Sequence, residues 1–471
     1  MTTVLAIDQG TSGTKAVVVD GDGRVRGLAE RPVHPEYLPG GGVEQDPAEL
    51  LGSVLGAGRA AVAQAGVPVD VVTLANQGET VLAWDPDDGR PLSSLVVWQD
   101  RRAQALCDGL DAHRDLFAER TGLVLDPYFS APKLAWLRRN VTGDGVVTTS
   151  DSWLVHHLTG AFVTDASTAS RSLVAGLDTG AWDPRLLELF GLGGERLPRI
   201  AACDEIVGST SAFGAAAAVG GLVVDQQAAL AGEGCLRPGE AKCTFGTGAF
   251  LLANTGTAAA RSAAGLSTSV AWRLRGRTSY CLDGQVYTAA SAVRWMENLG
   301  WIRGAADLDE VADPGGVGGV LAVPALAGLG APRWRPDARA LLSGMTLATT
   351  TGHLVAAVLQ GIAAQVAELG AAAERDLGAP LTRLRVDGGL TRCRTLMQAV
   401  ADLMQVPIEV YPSEHATALG AVALARVAAD TGLSLADAVV GWAPGPVYEP
   451  AWPADRAAEF RARWSAAAGT A

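Results

Sequence analysis

Two short segments, half a chain apart, carry the same pattern, and this repetition limits the fold more than any other feature. Near the N-terminus two apolar runs, TVLAID and AVVVD (16–20), flank the turn-forming GTSGTK. From Lys242 to Asn254 the chain reads KCTFGTGAFLLAN, again an apolar run, a G-T-G turn and an apolar run. Apolar runs around Gly/Thr/Ser clusters read as β-hairpins. Thr11 and Thr247 lie 236 residues apart in a chain of 471, so the spacing predicts a duplication at domain scale. A chain this long also exceeds one compact core and suits two domains of roughly 200 residues. The expected boundary lies near 230, giving domains over 1–230 and 231–471.

Between the hairpins, strands and helices alternate in the α/β manner. Residues 69–76, 80–84 and 94–98 read as strands, and Pro47 to Ala65 as a helix. His353 to Leu377 has helical periodicity, with Leu354, Val355, Val358, Leu359, Ile362, Val366 and Leu369 on one face. A strand at 384–386 then runs into Asp387-Gly388-Gly389 and a helix striped by Leu396, Met397, Val400, Leu403 and Met404.

Composition narrows the function. Apolar residues are 48% and charged residues 18%, the balance of a folded globular chain. A net charge of −13 argues against a nucleic-acid partner, because phosphate backbones reward basic surfaces. A single nucleotide remains compatible, since backbone N–H groups and a metal bind it locally. The six cysteines (107, 203, 235, 243, 281 and 393) form no C-x-x-C and no zinc spacing with histidine, so reduced, buried thiols are expected. Asp8 within the opening residues excludes a signal peptide. The apolar runs at 212–224 and 315–332 are too short or too rich in Gly and Pro for a bilayer span. The expectation is a cytoplasmic protein with no membrane partner. Only three lysines occur, Lys15, Lys133 and Lys242, and two of them fall within the motifs that follow.

Four constellations carry chemistry. In DQGTSGTK, Asp8 ends a strand and the turn offers Gly10, Thr11, Ser12, Gly13 and Thr14, with the positive charge of Lys15 beside them. Glycines let N–H groups approach an anion, hydroxyls add donors, and a strand-end carboxylate suits Mg²⁺ held through water. The turn opens no helix and is not a Walker loop. An ordinary hairpin turn is the alternative reading. The second constellation is TFGTG (244–248); two such turns facing each other could clamp one nucleotide. The third is Asp225-Gln226-Gln227 after the apolar LVVD, either a cleft carboxylate or a simple helix cap. The fourth is Asp387-Gly388-Gly389 together with Gly420, glycines that would let backbone approach a flat ring.

These segments, with GGVEQDP (41–47), NQGET (76–80), WQDRR (98–102), TGLVLDPYFSAPK (121–133), TDASTASR (164–171), GLGAPRW (328–334), RVDGG (385–389) and TALGA (417–421), occur in an order that resembles the FGGY carbohydrate kinases, and among them the glycerol kinases. The resemblance runs from Val4 to about Ala425. It implies two actin-like (ribonuclease H-like) α/β domains with ATP, Mg²⁺ and a small polyol or sugar in the cleft between them. By the same resemblance Asp225 is the catalytic base and Asp8 the metal-associated carboxylate. Thr11, Ser12, Thr14 and Thr247 match phosphate contacts, and Gly389 matches a glycine at the adenine and ribose site. Glu79, Tyr128, Asp225 and Gln226 match the polyol-binding residues, and Phe250 matches an aromatic wall. Two positions depart from the pattern. Gly78, expected at the polyol site, stands where glycerol kinases carry arginine, and Cys393, expected with Lys15 among the nucleotide-binding residues, stands where asparagine is usual near the adenine. The first leaves room for a larger substrate, such as a tetritol, a pentitol or a ketopentose like xylulose. Homodimer and homotetramer are both open. Outside the kinases, the same fold could serve an ATP-driven conformational protein, in which Glu79, Tyr128 and Gln226 would have no role, or a non-catalytic sensor that binds sugar and nucleotide, against which the intact Asp8, Asp225 and Thr247 speak.

Overall fold

The computed structural model describes residues 2–471. Each half of the chain is built on one twisted sheet that grows from its hairpin. In the N-terminal half, Val4–Gly10 pairs antiparallel with Gly13–Val19 and parallel with Val71–Asn76. In the C-terminal half, Ala241–Phe245 pairs antiparallel with Ala249–Gly256 and parallel with Leu384–Asp387. The leading strand of each hairpin is thus central, with its hairpin partner on one side and a crossover strand on the other. Further strands complete two seven-stranded sheets. A five-stranded sheet inserted in the N-terminal half, including Val81–Trp84 and Val146–Thr149, carries the segment that ends at Trp98.

Alternation along the strands decides what each sheet face buries. Leu5, Ile7, Ala16 and Val18 pack with Leu50, Val54 and Ala61 of the helix Pro47–Ala65. That helix has the predicted bounds, starts on a proline behind the Asp46 cap and stops at Gly66 in the left-handed conformation. Val4, Ala6, Val17 and Val19 face the other way, toward Ala228 and Leu230 of the helix Asp225–Gly232 and Leu419, Val422 and Ala425 of the helix Ala416–Ala429. A division at 230 therefore passes through a helix that serves both halves.

Those two helices cross where neither has a side chain. A Cβ built on Gly420 would lie 1.7 Å from the carbonyl oxygen of Ala228, and one on Gly232 would lie 2.2 Å from that of Ala416. The sequence expectation that Gly420 opens room for a flat ring is corrected: its face is filled by the neighbouring helix backbone. The other strand and helix expectations match elements in the structure, including Thr351–Leu377 and Arg394–Met404. The helix Thr351–Leu377 is apolar and long enough to cross a membrane by length and composition, but 78% of its most apolar window is buried within the protein.

Gly420→Ala should separate the two helices, since overpacking of this kind costs about 1–3 kcal/mol or more. A lower Tm and a loss of turnover are expected, because Asp225 begins one of the helices. An unchanged Tm would show that the crossing tolerates a methyl group.

Candidate active site

The two hairpin turns meet in the cleft. Thr11, Ser12, Gly246 and Thr247 line one cavity of about 240 Å³ together with Asp225. Each turn is braced from behind. Thr11 accepts a hydrogen bond from Trp98 Nε1 (2.9 Å) at its hydroxyl and one from Gln45 Nε2 (2.6 Å) at its carbonyl. The Thr247 carbonyl accepts from Ala289 N, Ser291 N and Ser291 Oγ, and the Gly246 carbonyl from Ala290 N, all at the start of the helix Ala290–Asn298. With the carbonyls turned away, the cavity side of the second turn keeps the Thr247 hydroxyl.

Thr14 does not join them. Its hydroxyl is buried and shares a 2.7 Å hydrogen bond with Ser53 of the helix Pro47–Ala65. The expected phosphate contact is corrected: Thr14 sits on the strand face that also carries Ala16 and Val18, away from the cleft. Lys15 lies on the opposite face and is paired in register with Asp8, but its ammonium is engaged by Glu30 and by the Glu414 carbonyl, each at 3.2 Å.

Three carboxylates come together electrostatically beneath the turns. Burial, reinforced by Asp225 and opposed by Lys15, pushes Asp8 from its ordinary range up to about 7. Burial also raises Asp225, with Lys242 opposing, and raises Asp387 against the same lysine. Asp225 starts its helix directly after Val223–Val224, and its Oδ1 accepts from Gln226 N at 2.6 Å. Lys242, fully buried, donates to Gln226 Oε1 (2.6 Å) and Thr244 Oγ1 (2.7 Å). No three Asp, Glu, His or Cys side chains among the described residues converge as metal ligands. Asp387 Oδ1 is buried without a partner. Hard oxygen donors in this number suit a Mg²⁺ that keeps its waters and takes phosphate oxygens as its other ligands.

The same cavity also carries the residues expected to bind a polyol. Gly78, Glu79, Tyr128, Gln226 and Phe250 all line it. Trp98 stands between Tyr128 and Phe250, edge-on to each at 5.6 and 5.8 Å. Glu79 is buried with φ 58°, a left-handed backbone uncommon outside glycine and frequent at functional sites. Lys133 is buried, and its Nζ donates to the carbonyls of Pro127, Tyr128 and Phe129, which fixes the loop carrying Tyr128. Gly78 is not beside open space. A Cβ there would meet Val224 at 3.4 Å and Arg171 Nε at 3.8 Å.

Arg171 is the largest omission of the sequence reading. Its guanidinium pairs with Glu79 and with Asp283. Burial opposes its charge, yet Asp283 and Glu79 outweigh that and keep it protonated. Arg171 ends TDASTASR and Trp98 opens WQDRR, so both lay within recognised motifs, whereas Asp283 had no sequence signal.

The adenosine-side residues lie apart from this cavity, beyond the end of the strand Leu384–Asp387. A Cβ on Gly389 would meet nothing within 4 Å, which leaves its backbone open to approach. The side-chain role expected for Cys393 is corrected. Its buried Sγ accepts from Leu396 N (3.4 Å) and lies 3.5 Å from Asp309 Oδ1, so it caps the helix Arg394–Met404 and turns inward.

Comparison with known proteins agrees across the whole chain. Residues 3–232 match the N-terminal domain, and 241–429 the C-terminal domain, of the FGGY family of carbohydrate kinases. Glycerol kinase of Alkalilimnicola ehrlichii is 45% identical over 445 residues, covering 90% of each chain. That of Trichlorobacter lovleyi is 42% identical, covering 99% of this chain and 98% of its own. The crystal structure of Plasmodium falciparum glycerol kinase with ADP superposes with a TM-score of 0.91 at 30% identity, covering 100% of this chain and 98% of that one. A xylulose kinase from Brucella ovis gives 0.87 at 26% identity, with 98% of each chain covered.

The raised Asp8 has a consequence for stability. Between its ordinary value of 3.8 and about 7, the folded chain holds a proton that the unfolded chain releases. Stability therefore falls as pH rises through that window, and the full cost is present above it. Asp8→Asn should raise Tm by a few degrees at pH 8, without nucleotide or divalent cation, and the gain should vanish near pH 4. A Tm at pH 8 equal to or below that of the wild type would contradict this.

Proposed function

The chain belongs to the FGGY family of carbohydrate kinases, and from that premise we propose that it transfers the terminal phosphoryl group of ATP to a hydroxyl of glycerol, with Asp225 as the base. The observation that carries the reading is the position of Asp225. It sits where the cavity between the two hydroxyl-bearing turns continues into a pocket lined by Glu79, Tyr128 and Gln226.

Thr11, Ser12 and Thr247 hold the phosphates between the turns. Asp225 orients the attacking hydroxyl and accepts its proton. Its burial favours proton uptake over an exposed aspartate, while Lys242 keeps the carboxylate available. A weak base suffices, because phosphoryl transfer has a loose transition state and depends mainly on positioning and charge neutralisation. Mg²⁺ belongs beside Asp8 and Asp387, where it would neutralise charge on the phosphate oxygens. Trp98, Tyr128 and Phe250 shield the carbon backbone of the substrate and exclude water, the competing nucleophile. Six free, buried cysteines favour a reducing, cytoplasmic setting.

Glycerol is preferred over longer substrates on two grounds. Relatives at 40–45% identity are glycerol kinases. The cavity is also small, about 240 Å³ with the space between the turns included, against ~300–1,000 Å³ for drug-sized ligands, and Arg171 takes up the space next to Gly78. One observation favours a second reading. Position 78 itself has no side chain, which leaves more room than an arginine would and suits a ketopentose such as xylulose.

A coupled ADP-release screen over glycerol, tetritols, pentitols and ketopentoses separates the two. Glycerol should give the highest kcat/KM; a ketopentose in first place would establish the second reading. Gly78→Arg should narrow the pocket and shift the ratio of kcat/KM further toward glycerol. An unchanged ratio would mean that position 78 does not face the substrate. Asp225→Asn should reduce turnover by ~10²–10⁴-fold while nucleotide binding stays near wild type. Retention of more than about a tenth of the activity would remove Asp225 from the role of base.

A further inference from the structure

We infer that Lys242 is a positioning residue that fixes the Gln226 side chain as a hydrogen-bond donor to a substrate hydroxyl. The inference rests on the polyol-kinase reading of the site and adds to it the residue that sets the polarity of one wall.

An ammonium group has three N–H donors and no acceptor. The Gln226 atom that Lys242 meets at 2.6 Å must therefore be the amide oxygen. That contact removes the twofold ambiguity of the amide. Gln226 lines the cavity, its Nε2 is not among the buried polar atoms left without a partner, and the carboxylate of the adjoining Asp225 lies within its reach. The NH₂ group thus opens to the cavity, beside the acceptor carboxylate of Asp225. A polyol hydroxyl needs both an acceptor for its proton and a donor to its oxygen, and adjacent residues supply the two.

The ammonium is itself held in place. Its second contact is Thr244 Oγ1 at 2.7 Å. Thr244 and Asp387 are register partners on neighbouring strands, so the relay is anchored to sheet rather than to a loop. Lys242 is fully buried, with the carboxylates of Asp225, Asp387 and Glu233 as its charged surroundings. An uncharged residue of similar length would fill the space but would let the Gln226 amide rotate.

The test compares Lys242→Met, Gln226→Met and the double variant, with KM measured separately for the polyol and for ATP. Each single variant should raise the polyol KM roughly three- to tenfold, the worth of one hydrogen bond, with the ATP KM within twofold of wild type. The double variant should be no worse than either single one, because both remove the same donor. Lys242→Arg, which keeps the cation and its donors, should stay within about threefold of wild type. If Lys242→Met does not fold, Thr244→Val provides the same readout. It removes one anchor of the ammonium and should raise the polyol KM about two- to threefold, again with ATP unaffected. Additive losses in the double variant, an ATP KM that rises as much as the polyol KM, or no change in Thr244→Val would overturn the assignment while wild-type turnover keeps the functional reading intact. A wild-type enzyme that turns over no polyol would sink the functional reading and the role of Lys242 together.

Discussion

The contact on which the rest of the structure depends is the crossing of the helices Asp225–Gly232 and Ala416–Ala429. Their backbones meet through Gly232 and Gly420, at a separation that no side chain could enter. One helix begins with the proposed base, and the other comes from the far end of the chain. Both pack against the back of the first sheet, on Val4, Ala6, Val17 and Val19. The first helix also touches the second sheet, at Leu252 and Ala271. A single seam therefore sets the distance between the two hairpin turns and the place of Asp225 between them. Small residues at this seam have a geometric meaning: alanine and glycine allow helices to approach where leucine would hold them apart.

The second organising constraint is the placement of scarce cations among many carboxylates. The chain carries a net charge of −13; Glu79, Asp225 and Asp283 line its cavity, and the buried Asp8 and Asp387 lie within electrostatic reach of one another, Asp8 also of Asp225. Uncompensated, such a cluster would be neutralised by protonation. Arg171 stands between Glu79 and Asp283 on the polyol side, and Lys242 lies near Asp225 and Asp387 on the phosphate side. Lys133 neutralises nothing by direct pairing but closes three carbonyls around its ammonium. With only three lysines in the chain, two are buried in these roles.

Much of this was legible in the sequence, and the failures have two distinct causes. The hairpins, the helix Pro47–Ala65 and the position of Asp225 follow from periodicity and turn chemistry, which are local. Thr14 was misread because its turn was treated as a set of hydroxyls rather than as the start of a strand. Strand residues alternate between faces, and Thr14 shares its face with the buried Ala16 and Val18, so the period of two already excluded it from the cleft. Gly420 and Cys393 were misread for a different reason. A glycine within a helix and a thiol before one are each compatible with a ligand or with packing, and only the neighbouring element decides. For Gly420 that element lies almost two hundred residues upstream, at Ala228. The Arg171 pairs join residues 92 and 112 positions apart, a separation that no local pattern reports.

The same distribution of charge explains how a catalyst can be built from a weak base. Burial alone would favour the protonated forms of Asp8 and Asp225. Exposure alone would leave them ionised, but surrounded by water able to take the phosphoryl group. The structure lies between these limits. Desolvation raises each carboxylate, and a lysine on the adjoining strand opposes the rise, Lys15 for Asp8 and Lys242 for Asp225. A cleft of this kind is costly when empty, and on the proposed function a divalent cation held beside Asp8 and Asp387 would relieve that cost. On the proposed reading, the binding energy of the substrates is then coupled to the charge state in which the hydroxyl can attack phosphorus. On the proposed assignment, the buried carboxylates that burden the fold are the same ones that serve the phosphotransfer of an FGGY carbohydrate kinase.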